Sequence, residues 1–243
     1  MYKEPKYPQN YEQEPQVPEM RLIIDSQLEL YYPHLYQAAM FGIDDVVQMM
    51  SRMPKVNVDY DQIVGTDATL EQLLDDSTIY NPNPNVQEGQ LLFDNLYHLI
   101  QTSTGPQGYF HNFILTARGM TISDGEGGLN NFVLGANLDN TTVQSLYEYI
   151  MSDNLTEQQK CDVTRHIARH EYGHMVGLDQ ATIANPDPRG EFLPIYAGHC
   201  ANFCTMHQSI STEEAVGLSS ELRHHRKMDA GFCPDCVNYI RSI

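Results

Sequence analysis

The chain has 243 residues and a formal net charge of −18, with 32 Asp and Glu against 14 Lys and Arg. That balance argues against nucleic acid or an anionic membrane as a partner and mildly favours basic or neutral substrates. No apolar run is long enough for a transmembrane helix and the start lacks a signal peptide's apolar stretch, so a cytoplasmic location is expected.

In chain order, residues 1–20 carry Pro5, Pro8, Pro15 and Pro18 among Tyr, Gln and Glu and read as a disordered tail. The sharper alternative is a segment that lies in a cleft and inhibits it; without a cysteine it could not act by thiolate capping. A strand is expected at 21–26, around Leu22-Ile23-Ile24, then a helix over 35–53 that stops before Pro54. An alternating strand over 56–64, a short helix within 66–79 and an Asn-Pro loop at 81–85 follow. The pattern then predicts a helix over 91–101, a turn at Gly105-Pro106, strands at 110–117 and 132–136, and a turn-rich stretch at 123–128. Asp124 and Glu126 among glycines fit a hairpin turn better than a calcium loop, whose full pattern is missing. The mixture predicts an α+β fold.

The strongest signal is His170-Glu171-Tyr172-Gly173-His174, late in a helix predicted over 156–176. Thr156 and Gln159 form a capping box at its start, and Gly177 suits a left-handed cap at its end. Residues four apart share a helix face, so both imidazoles can reach one metal ion. Glu171, about 100° round the helix, can flank the ion without ligating it and act as general base on a bound water. His166, one turn earlier, is geometrically awkward as a further ligand and reads as a packed histidine. His224 and His225 read as solvent-facing, and Cys161 as a lone buried thiol.

Cys200, Cys204, Cys233 and Cys236 form two close pairs. In a chain without a secretion signal, four such thiols favour a structural zinc site over two disulfides.

His170-Glu171-x-x-His174-x-x-Gly177, then His199-Cys200, Cys204, Met206 and the closing Cys233-x-x-Cys236, resembles the archaemetzincins, a branch of the metzincin zinc metallopeptidases. Gly128 to Gly135 resembles the glycine-led strand before their active-site helix. The resemblance covers about 110–240 and implies a metzincin-like mixed sheet with an active-site helix in residues 21–177. It also implies a smaller C-terminal subdomain, 178–243, holding the cysteine zinc site. It further implies that Met206 forms a tight turn beneath the histidines, and that strand 132–136 pairs with an extended substrate. One departure is clear: the family's third histidine falls at Gln180 here, and the next histidine is His199, after a 21-residue insertion over 178–198. Tethering across that length costs about 2 kcal/mol in closure entropy, against roughly 10 kcal/mol or more from zinc binding in small zinc peptides. His199 is therefore the expected third ligand, with Asp179 the alternative.

The resulting expectation is zinc-dependent hydrolysis of peptide bonds by a metal-activated water, with Glu171 as general base and two zinc ions per chain. The alternatives are a zinc-stabilised binding protein without turnover and a zinc hydrolase of another amide. A second capping box at Ser211 and Glu214 should start a helix running toward Met228.

Overall fold

The structure is a computed structural model. It describes residues 19–51, 56–60, 69–79, 90–104, 110–123, 129–131, 133–139, 141–179, 181–192, 196–209, 211–225 and 229–243. The tail reading at 1–18, the Asp124/Glu126 turn and Gln180 lie outside these residues.

The central sheet has five strands in the order β2-β1-β5-β9-β8. They are β1 (Glu19–Ile24), β2 (Val56–Tyr60), β5 (Phe110–Thr116), β8 (Gly135–Leu138) and β9 (Thr141–Ser145). Strands β2, β1, β5 and β9 run parallel, and β8 closes one edge antiparallel to β9. A second, smaller sheet pairs β3 (Thr78–Ile79), β4 (Gln90–Leu92), β6 (Met120–Ser123) and β7 (Leu129–Asn131).

Alternation along the strands sorts the core into two layers. Leu22, Ile24, Phe113 and Leu115 face α2 (Pro33–Val47) and α6 (Glu157–Met175), packing with Ile43, Val46, Val163 and Ile167. Ile23, Ile114 and Val143 face the other way, onto Leu73 and Leu74 of α3 (Leu70–Ser77) and Leu96 and Ile100 of α4 (Phe93–Thr104). Helices α2 and α6 cross at Gly42, where a Cβ would collide with the Arg165 carbonyl. Short helices α1 (Ser26–Tyr31) and α5 (Tyr147–Met151) fill connections. Helices α7 (Thr212–His225) and α8 (Pro234–Ser242) close the C-terminal part. The first buried layer is continuous from Met20 in β1 to Ile240 in α8.

The mixed α+β architecture agrees with the sequence reading, and the differences are local. Met20 is buried in β1, so the strand begins inside the stretch read as tail. The first long helix spans Pro33–Val47 rather than 35–53, because Pro33 at the first helical turn is compatible with helix and starts it early. Leu91 lies in β4, and the helix after it starts at Phe93. The strand expected at 132–136 sits later, at Gly135–Leu138. Helix α6 matches its predicted span closely, with the Thr156–Gln159 capping box formed. Among the described residues no helix is long and apolar enough to cross a membrane.

Candidate metal centre

Helix α6 sets the site. His170 and His174 point from one face into a cleft of about 820 Å³ whose other walls include β8 and the segment 197–199. Gly177, with φ of +96°, ends the helix, and the Leu178 N–H returns to the Gly173 carbonyl at 2.9 Å. That reversal brings the Leu178 carbonyl to Nδ1 of His174 at 2.9 Å. The Thr205 carbonyl stands 2.8 Å from Nδ1 of His170. A carbonyl can only accept, so both rings carry their proton on Nδ1 and turn a bare Nε2 lone pair inward.

His199 arrives from the far end of the insertion. Its Nε2 lies 3.3 Å from that of His174, which in turn lies 3.2 Å from that of His170. Three nitrogens at zinc-ligand distance from one tetrahedral ion would stand roughly 3.3 Å apart. The donor set therefore fits a zinc ion, and without a cation its lone pairs would repel one another. Burial is the main cause that pushes all three imidazoles below the ordinary histidine range, His199 to about 3, so they remain neutral donors at physiological pH. Asp179 borders the cleft, but its Oδ1 accepts from the backbone N–H groups of Ala181 and Thr182 at 2.8 and 3.0 Å.

Glu171 is buried beside these histidines and also lines the cleft. The start of β8 passes directly over it: a Cβ at Gly135 would overlap the Glu171 carboxyl. Burial pushes this carboxyl up to about 8, a range in which a carboxyl group can both take and return a proton near neutrality. Met206 is fully buried beneath the helix, and its Sδ lies 2.5 Å from where a Gly173 Cβ would be. A side chain at 173 would thus push against the floor under both histidines.

The four cysteines form a second, closed cluster. All are buried; the sulfurs of Cys204 and Cys236 and of Cys200 and Cys233 stand 3.8 and 3.9 Å apart, and all four lie within 4.8 Å of one another. A disulfide needs about 2.05 Å, whereas four thiolates around one tetrahedral zinc would be roughly 3.8 Å apart. Hydrogen bonds among the four thiols hold Cys233 well below the ordinary thiol range and push Cys204 and Cys236 above it.

Among the remaining residues, His166 is fully buried and neither ring nitrogen has a described partner. Cys161 is partly buried, with its thiol pushed up by burial. His207 borders the cleft, with Nδ1 3.1 Å from the Cys200 carbonyl. The side chains of His224 and His225 are not among those described. The parts of the site that sequence reasoning missed are the carbonyls of Thr205 and Leu178 and the close passage at Gly135. Carbonyls leave no trace in residue types; Gly135 could have been read as a point of close approach.

No family model and no curated protein sequence matches the chain. Its fold does match solved structures. An archaemetzincin from Methanopyrus kandleri superposes with a TM-score of 0.53 at 16% identity, covering 93% of this chain and 95% of that one. A zinc-dependent peptidase from Methanocorpusculum labreanum gives a TM-score of 0.47 at 14% identity, over 91% of this chain and 100% of that one. The first match establishes an archaemetzincin-like fold over nearly the whole chain, in line with the histidine and cysteine motifs.

Proposed function

We propose that this chain is a zinc-dependent peptidase that cleaves peptide or protein substrates, with His170, His174 and His199 as catalytic ligands and Glu171 as general base. The observation that carries the reading is the convergence of three imidazole Nε2 atoms, with neighbouring pairs 3.2 and 3.3 Å apart and a buried carboxyl beside them, in an open cleft. A zinc ion held there would polarise a scissile carbonyl and lower the pKa of an attacking water toward 7. Glu171 takes the proton of that water and returns it to the departing amine. The backbone of β8, at the sheet edge, offers hydrogen bonds to an extended chain lying along the cleft. Cys200, Cys204, Cys233 and Cys236 hold a second, structural zinc, and Met206 supports the helix from below. Neither nucleic acid nor an anionic membrane is a partner in this reading, in keeping with the net charge of −18.

The test joins metal content to turnover. Purified under reducing conditions, the protein should hold two zinc ions per chain and cleave members of a mixed peptide library. His199→Ala should lose one ion and all cleavage, while Asp179→Ala stays near the parent. Loss of metal from Asp179→Ala with retention by His199→Ala would reassign the third ligand. Turnover of a non-peptide amide library alone would replace the peptidase reading.

A further inference from the structure

The three histidines are not held alike. His170 and His174 have two anchors each, a helical backbone and a carbonyl on Nδ1. His199 lies outside helix and strand; its buried Nδ1 has no hydrogen bond of full geometry, and the backbone groups that act on the ring are those of Tyr196 and Ala197 in its own segment. Its orientation must come through the backbone of its own segment.

That backbone is fastened on both sides. The His199 carbonyl accepts from the Asp187 N–H at 2.7 Å, and the His199 N–H donates to the Tyr196 carbonyl at 3.3 Å. Pro186 and Cys200 form an antiparallel bridge, and the Ala201 N–H donates to the Asn185 carbonyl at 2.9 Å. Asp187 is 2% exposed, and its carboxylate accepts from the Arg189 N–H at 2.9 Å. The same carboxylate holds the Arg189 guanidinium, Nε at 3.0 and 3.1 Å and Nη2 at 2.5 Å. The guanidinium carbon in turn lies 3.8 Å from the centre of the Tyr196 ring. The path from His199 through Tyr196, Arg189 and Asp187 closes back on His199. A Cβ at Gly190 would meet the Ala197 Cα and the Tyr196 carbonyl oxygen, each at 2.9 Å, so the two passes of the segment touch backbone to backbone.

We infer that the inserted segment is a built clasp for the third metal ligand, with Asp187, Arg189 and Tyr196 as positioning residues for His199. This rests on the reading of His199 as a ligand. The 21-residue connection over 178–198 is then no slack tether. Residues 185–187 pair with 199–201 through contacts that do not involve the His199 ring, so the entropy of closing this part of the connection does not oppose ligation. The clasp fixes the segment whose Tyr196 and Ala197 backbone acts on the His199 ring, the counterpart of the carbonyls that hold the other two rings.

The test uses the full chain and its second metal cluster as an internal control. Co(II) and zinc affinities of the histidine and cysteine clusters are measured by chelator competition, with the Co(II) spectrum separating nitrogen from sulfur ligation. Removing supports behind metal ligands typically costs 10–100-fold in affinity. Asp187→Asn and Arg189→Ala should each weaken the histidine cluster by about tenfold or more and shift its Co(II) spectrum. The cysteine cluster should stay at parental affinity. Arg189→Lys, which keeps charge but not the fork, should recover only part of the loss. The double variant should be little worse than either single one, because one ring of contacts is broken. Arg189 is half exposed, so its variants keep the test open should Asp187→Asn fold poorly. Parental affinity in both variants, with His199→Ala losing the ion, would overturn the clasp while leaving the ligand intact. Equal weakening of both clusters would also overturn it, as general destabilisation. Retention of the ion by His199→Ala would instead remove the ligand reading on which the clasp rests.

Discussion

The histidine and cysteine clusters meet at one peptide bond, with His199 in one and Cys200 in the other, yet they are built to opposite ends. The cysteines are sealed in the core, with all four sulfurs turned on one another. The histidines supply only three donors, and their site opens on a cleft beside a carboxyl. Closed four-thiol clusters hold a fold together, whereas three-donor clusters leave a position for water or substrate. The two are also tied by structure. The carbonyl of Thr205 holds His170, while its N–H and hydroxyl bind the carbonyls of Gly231 and Ala230, two and three residues before Cys233.

The contrast breaks most readily by deleting one ligand from each cluster. Cys236→Ser should cost several kcal/mol, roughly 10 °C or more in melting temperature, and weaken the histidine site in its wake. His170→Ala should change the melting temperature far less while removing all hydrolysis. Equal thermal losses in the two variants would erase the distinction between structural and catalytic clusters.

Gly135→Ala sharpens the account of the open site. The added methyl would displace the Glu171 carboxyl, so kcat should fall about 100-fold with both zinc ions retained. Parental kcat would mean that the position of Glu171 is not set by the passage of β8.

The smallest expected effect concerns His166, which lies one turn from His170 but serves neither cluster. Burial is the main cause that pushes its pKa down to about 3. Below about pH 6.5 the unfolded chain therefore takes a proton that the folded chain refuses. Stability is lost as the pH falls from there toward 3, by up to about 1.4 kcal/mol per unit. His166→Leu removes both that slope and two unpaired buried nitrogens. Thermal melts should show a gain of about 1 kcal/mol at pH 7.5 that grows toward pH 5.5. A gain that does not change with pH would show that the ring finds a partner when folded.

Much of this site was legible in the sequence because metal ligation uses few residue types at fixed spacing. The helix with His170, Glu171 and His174, its capping box and the four cysteines all follow from local pattern. What escaped was set by tertiary context. The segment Thr141-Thr142-Val143-Gln144-Ser145 reads as polar, yet all five residues are buried in β9, inside the sheet. Helices α1 and α5 are too short for a periodic signal. Helix α8 begins at Pro234, inside the cysteine motif, where the metal reading hid the helix start. The insertion read as plain loop, because its order comes from one short turn at Pro188–Glu191 and from contacts between side chains and backbone.

The central claim is that Glu171 moves protons and does not hold metal. Zinc content and peptide hydrolysis of Glu171→Gln, measured on the same preparation, test it directly. The account predicts two zinc ions per chain, a melting temperature near the parent and hydrolysis reduced to background. Hydrolysis comparable to the parent, or loss of a zinc ion together with activity, would contradict it.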